Sequence, residues 1–361
     1  MQISAPGRGV GQTGGQQAAT GGAEQAQPRR GLLGRLLLRP EFTAVIGTIV
    51  VFTYFAVDAG DKGFLSLTGT RNYLEVAAEV GIVTVPVCLL LIAGEFDLSI
   101  GAMIGAGGIL FSYPIVQYGW PLWLAVIFAL AAAAAIGFVN GMLVVRTGIP
   151  SFLVTLASMF VLSGTTLAVT NSLTGATSVS GVHEAVGNGW MVQLFAGHIG
   201  GFSVSIIWWL LLTAVAAYVL DGLRAGNWIY ASGGNVDAAY KTGVPVRRVK
   251  VLLFMCTSMA ATLVAILATF AIDSADVSRG TGKEFQAATA AVIGGTLISG
   301  GSGSPIGAAV GALLFGMVSQ GFFFTSIDDN WFQAFLGLML LMAVVVNQYT
   351  RAAGMRTRKA S

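Results

Sequence analysis

Charge is scarce in this chain. Of 361 residues, only 19 are Lys or Arg and 16 are Asp or Glu, 10% of the whole, against roughly 25% in an average soluble domain. A soluble fold of this length needs a polar shell over its core, and the residues for one are missing. That excludes a soluble globular enzyme and a nucleic-acid binder. Cysteine and histidine are scarcer still, at two each: Cys88, Cys256, His183 and His198. Both cysteines stand in long apolar runs, so the sequence predicts two small buried hydrophobes, with no disulfide framework, no Cys or His metal centre and no cofactor. No nucleophile, metal cluster or paired acid and base stands at membrane depth, so the chain carries no catalytic residue of its own.

What the chain has in quantity is apolar residues, 55% of the total, and 49 glycines. The mean hydropathy is +0.78. Residues 1–40 differ from the rest. Gly7 to Gln27 lacks the bulky apolar residues that a core requires. Arg29 to Pro40 is a basic apolar segment suited to lying on a membrane surface. Arg35 and Arg39 interrupt it, so it does not read as a secretory signal. Beyond Pro40, apolar runs recur at about the 20 residues a bilayer demands. They fall at 41–58, 72–93 (with Pro86), 98–117, 121–145, 149–170, 203–221, 251–272, 285–300, 304–325 and 331–349. The fold expected is an all-α polytopic membrane protein of about ten transmembrane helices. A transmembrane domain spans 41–350, between the 1–40 segment and a basic tail at 351–361.

Lys and Arg gather on the cytoplasmic side of a membrane protein. With both termini cytoplasmic and ten crossings, fifteen of the nineteen fall inside, and only Lys62, Arg71, Arg279 and Lys283 fall outside. This places loop 171–203, which has no Lys or Arg, on the outer face, and loop 222–250 on the cytoplasmic face. The helices are rich in small residues, which allow close packing in a membrane. Ile100-Gly101-Ala102-x-Ile104-Gly105-Ala106 is echoed by Ile306-Gly307-Ala308-x-Val310-Gly311-Ala312, a hint of an internal repeat.

The cytoplasmic loop reads as a short punctuated helix. Asn235 is a good N-cap, Asp237 sits in the first turn, Lys241 in the last, Gly243 suits the left-handed position beyond the end, and Pro245 stops the helix. Two turns are not stable alone in water, so this helix must dock on something. The segment Arg279-Gly280-Thr281-Gly282-Lys283-Glu284 superficially resembles a phosphate-binding loop. Val277 stands where the first glycine is needed and Glu284 where Ser or Thr is needed, so ATP is not bound there. Glu75 and Glu79 lie four apart near the outer end of the second span, where an interfacial position suits them, and Asn140 and Asn171 suit hydrogen bonding at helix ends. Asp97, with Glu95 just before it, admits two readings: an ionisable group on the transport route or its inner gate, or a cap on the third span. The aromatics Trp190, Phe195 and Phe202 of the outer loop suit either a docking surface or an interface belt.

Four segments carry a family resemblance. Ala231-Ser232-Gly233-Gly234-Asn235-x-x-Ala238-Ala239-x-x-x-Gly243-Val244-x-Val246-x-Arg248-Val249-Lys250 is the first. Gly94-Glu95-Phe96-Asp97-Leu98-Ser99-Ile100-Gly101 is the second. Asn140-Gly141 with Gly148-Ile149-Pro150-Ser151-Phe152 and Thr155 is the third, and Ala290 to Thr296 with Gly300, Gly301 and Gly307 the fourth. Together, over about 70–350, they resemble the ribose/xylose/galactose-type ABC permeases, the branched-chain-permease-like sugar importers. Glu95 stands where that family commonly has Gly, and Phe96 where it has Ile. The resemblance implies a non-catalytic permease subunit of an ATP-driven importer in the bacterial inner membrane, passing a monosaccharide or small polyol. It implies a second permease subunit forming a homodimer, a cytoplasmic ABC ATPase, an extracytoplasmic sugar-binding protein and surrounding membrane lipid. On it, Gly233, Gly234, Asn235, Asp237, Ala238, Ala239 and Gly243 are expected to couple to the ATPase, and Glu95, Asp97, Ser99 and Asn140 to line the pathway. The rival is an ion-coupled secondary transporter working through Glu95 and Asp97.

Overall fold

A computed structural model of the protein describes residues 40–325 and 331–359, with side chains over 44–325 and 331–345. The expected basic surface segment before Pro40 lies outside the described residues. The described residues are helical over most of their length. In order run α1 (Pro40–Asp58), a π-type turn (Gly60–Phe64), α2 (Leu67–Ile92), α3 (Ile100–Tyr118), α4 (Leu122–Thr147) and α5 (Ser151–Thr174). Strand β1 (Ser178–Ser180), α6 (Val182–Val186), α7 (Trp190–Ala196), β2 (His198–Ile199) and β3 (Phe202–Ser203) follow. Then come α8 (Ser205–Gly222), α9 (Arg224–Gly234), α10 (Val236–Lys241), α11 (Val246–Ile272), β4 (Ser274–Asp276), α12 (Lys283–Ile293), α13 (Pro305–Phe324) and α14 (Phe332–Lys359).

Among the described residues, seven helices are long and apolar enough to cross a membrane: α2, α3, α4, α5, α8, α11 and α13. Shorter apolar stretches cover 44–58 and 332–345, near the expected first and last spans. The expected span 285–300 has no full helix. Helix α12 stops at Ile293, and the chain then turns through Gly295, Gly300 and Gly301, all at positive φ. The expected boundary at 350 is not a helix end either, since α14 continues to Lys359.

Local chemistry fixes several ends. Ser66 accepts from the Gly69 amide at 3.0 Å to open α2, and Ser304 accepts from Gly307 at 3.3 Å to open α13. Asp273 closes α11 in the left-handed region at φ 50°, and its carboxylate holds that turn by accepting from the His183 amide at 2.9 Å. Beyond it β4 pairs antiparallel with β1, Ser178 opposite Asp276, so the long loop after α5 is tied to the end of α11. A second small hairpin pairs β2 with β3.

Helices α2, α3 and α11 are buried, and α11 is the hub, packing on α4, α3 and α2. Phe111, Met103, Phe254, Ile82 and Ile266 are fully enclosed. The close approaches fall on small residues: a side chain at Gly137 would strike the α11 backbone at Phe254. Helix α5 rests on α3 and α4 and is otherwise exposed.

Candidate functional site

Two junctions carry most of the predicted residues. The first joins the 222–250 loop to the bundle. Asn235 ends α9 and opens α10, and its Oδ1 accepts from the Ala238 amide at 2.9 Å, as the sequence predicts. Gly243 takes φ 80°, which is the conformation expected of it. Ala239 is buried, which seats α10 on one side, and its carbonyl accepts from the Val244 amide at 3.0 Å, closing the turn after the helix. Its other side is open: Val236, Asp237, Ala238 and Tyr240 are all exposed.

Gly233 and Gly234 have a different setting. Gly233 faces inward, against two breaks in the bundle, while Gly234 is exposed. A Cβ on Gly233 would lie 1.9 Å from the Ile92 carbonyl oxygen and 2.9 Å from the Gly301 nitrogen. Gly301 (φ 76°) donates its amide to that same Ile92 carbonyl at 2.8 Å. Only residues without side chains let three backbones meet so closely. Thus the end of α9 touches both the turn after α2 and the turn after α12. Tyr230, one turn earlier, donates its hydroxyl to the Gly303 carbonyl at 2.9 Å. Lys250, at the start of α11, donates to the Glu95 carboxylate, and the two side chains are only 12% and 11% exposed.

The second junction lies in the 93–99 connection. Asp97 is 1% exposed and fully engaged. Its Oδ1 accepts from the Ser99 amide at 2.9 Å and the Ser99 hydroxyl at 2.6 Å, and its Oδ2 accepts from the Thr257 hydroxyl at 2.7 Å. Asn140 donates to the Ser99 hydroxyl at 3.1 Å, and Thr155 accepts from the Leu98 amide at 3.0 Å. One carboxylate therefore gathers α3, α4 and α11, with α5 attached one residue away. Thr257 stands eleven residues into α11, roughly 16 Å along its axis at 1.5 Å per residue. Asp97 does not cap the first turn of α3, because it bonds the residue before that helix. Asn140 likewise bonds from inside α4 rather than at its end.

The pathway candidates thus divide. Asp97, Ser99 and Asn140 form one buried network, while Glu95 belongs to the loop junction with Lys250. Neither carboxylate is free. Glu95 has a cation against it and Asp97 has three donors.

The sequence missed a third feature. Residues 277–282 run along the small-residue face of α3: a Cβ on Gly105 would meet the Val277 carbonyl at 2.1 Å, and one on Gly101 the Gly280 carbonyl at 2.5 Å. Lys283 then starts α12 beside the middle of α2, 3.7 Å from Glu79. Glu284 is 5% exposed over Gly101, and its Oε2 has no hydrogen-bond partner. Ser258 and Thr262, one turn apart on α11, have unpartnered buried hydroxyls as well. Read from sequence, Glu284 has no role beyond spoiling a phosphate loop, because charge counting sets 279–284 in an outer connection. The repeated Ile-Gly-Ala motif was the available signal. Gly101 and Gly105 pack on 277–284, and Gly307 and Gly311 pack on Gly294 and Ala290, so both copies flank the same segment. Cys88 is buried as expected, 3.2 Å from the Thr296 hydroxyl, whereas Cys256 is exposed.

Residues 69–344 match the family described as branched-chain amino acid transport system, permease component. The chain is 30% identical to the fructose import permease protein FrcC of Rhizobium meliloti, over 86% of each chain. It is 30% identical to the ribose import permease protein RbsC of Escherichia coli (strain K12), over 79% of this chain and 87% of the relative. It is 27% identical to the xylose transport system permease protein XylH of the same strain, over 89% of this chain and 95% of the relative. No solved structure matches it.

Proposed function

The chain belongs to the family of branched-chain amino acid transport system permease components, and from that membership we propose that it passes a monosaccharide or small polyol through the membrane subunit of an ATP-driven importer. Relatives named for fructose, ribose and xylose support a sugar over an amino acid. The observation that carries the mechanism is the α10 junction. A two-turn helix offers Val236, Asp237 and Tyr240 outward and is fastened inward through Ala239. Behind it, Gly233 abuts the turns after α2 and α12.

A cytoplasmic ATPase subunit grips the exposed face of α10. Its closure on ATP displaces α9 and α10 as one piece. Because three backbones meet at Gly233 and Gly301 without side chains between them, that displacement reaches both turns directly. The Lys250–Glu95 pair carries it to α11. Bistable packing then converts a small shift into opening at one end or the other. Asp97 with Ser99, Asn140 and Thr257 is the fixed anchor about which α3, α4 and α11 turn. The unpartnered hydroxyls of Ser258 and Thr262, with Glu284, are the groups free to meet sugar hydroxyls on the way, since a buried polar atom without a partner is costly unless something satisfies it.

Ten crossings follow if 277–293 counts as one broken span, a run of turns over 277–282 followed by helix α12, an arrangement known for pathway segments in transporters. Both termini then lie in the cytoplasm of the bacterium, and loop 175–204 faces outward to receive a sugar-binding protein. A second copy of the chain completes the pathway. The test is uptake in vesicles holding the chain, its ATPase and its binding protein. Asp237→Lys, on the open face of α10, is expected to abolish ATP-driven uptake while insertion in the membrane is unchanged. Undiminished uptake by that variant would remove the coupling role.

A further inference from the structure

We propose that the groove between α8, α9 and α11 is a binding site for an anionic glycerophospholipid, one acyl chain lying in the groove and the headgroup phosphate on Arg248. The groove has a volume of about 750 Å³ and runs from Phe195 to Arg248. Its walls are apolar over most of that length, with Leu212 and Val215 from α8 and Leu252 and Cys256 from α11. Val215 and Leu252 are 50% and 58% exposed, so the groove opens sideways onto the surface that membrane helices present to lipid. Water has no hydrogen-bond partners in such a space and apolar chains fill it.

The mouth is different. Arg248 and Trp228 line it together. Arg248 is exposed and makes no ion pair among the described residues, whereas Lys250, two residues on, is bound to Glu95. A free guanidinium beside an indole, at the end of an apolar slot, matches a phosphodiester linked to an acyl chain. The guanidinium fork bonds phosphate oxygens, and the indole sits at the boundary between headgroup and chain. Helix α8 is 18 residues long, about 27 Å, and one leaflet fills about half of a bilayer core of roughly 30 Å. One chain entering at Arg248 therefore occupies the half of the groove that contains Cys256. The choice of leaflet rests on the proposed function: with loop 222–250 in the cytoplasm, Arg248 meets the leaflet whose surface is anionic.

Native mass spectrometry of the purified full chain reads this directly, with phosphatidylglycerol and phosphatidylcholine of identical acyl chains. One phosphatidylglycerol is expected to stay on each chain in preference to phosphatidylcholine. Arg248→Gln should cut that preference about five-fold, the loss of roughly 1 kcal/mol for one cation near an anionic surface, and Arg247→Gln, outside the groove, should not. Cys256 gives a readout on the unaltered protein. It is exposed in the groove while Cys88 is buried, so alkylation by a hydrophobic maleimide should slow several-fold with phosphatidylglycerol and little with phosphatidylcholine. Equal retention of the two lipids, an unchanged preference in Arg248→Gln, or a dimer without lipid in which Cys256 is protected would overturn the proposal. No ATPase or sugar enters either measurement, so failure here is separate from failure of the transport reading.

Discussion

Asp97 shows how one buried charge can be structural. It satisfies its carboxylate with two hydroxyls and one amide from its own connection and α11. Replacing it by Ala leaves the Ser99 amide and hydroxyl without their acceptor, at about 1–3 kcal/mol, while the Thr257 hydroxyl falls back on the Phe254 carbonyl. Asp97→Ala should lower the thermal unfolding midpoint of the detergent-purified chain, and an unchanged midpoint would show that these bonds do not hold the bundle. Glu95 and Lys250 make a sharper test because the pair can be exchanged. Glu95→Lys and Lys250→Glu should each reduce ATP-driven uptake severely. The double exchange should restore much of it, since the partners again carry opposite charge at the same place. If the double variant is as poor as either single one, the contact transmits nothing.

At the scale of elements, α10 was legible in the sequence almost residue by residue. Its cap, its first-turn acid and its left-handed exit are short-range chemistry, and the structure keeps all three at Asn235, Asp237 and Gly243. Helix α12 was not legible. An apolar count over 285–300 cannot separate a full span from a half-helix followed by a glycine turn, because both are equally apolar. The meeting of Gly233 with Ile92 and Gly301 was hidden for a related reason. Those residues are some 140 and 70 positions from Gly233, and glycine carries no pattern that names its partner. Substitution finds the junction directly. Gly233→Ala should eliminate ATP-driven uptake while ATPase subunits still bind, because α10's exposed face is untouched. Normal uptake in Gly233→Ala would show that the three backbones have room to part.

For the whole molecule, composition alone specified the class: too few charges for a water-facing surface, and apolar runs in bilayer lengths. Seven of those runs are long apolar helices here. On the proposed reading, α10 receives the energy at one end of the bundle, from an ATPase subunit outside the chain. Glu95 and Asp97 are both engaged, whereas Glu284 keeps an unpartnered oxygen. The most direct measurement reconstitutes the chain in vesicles, alone and then with ATPase and binding protein, under an imposed proton or sodium gradient. Sugar should accumulate only in the complete assembly with ATP. Accumulation by the chain alone, driven by either ion, would contradict the account.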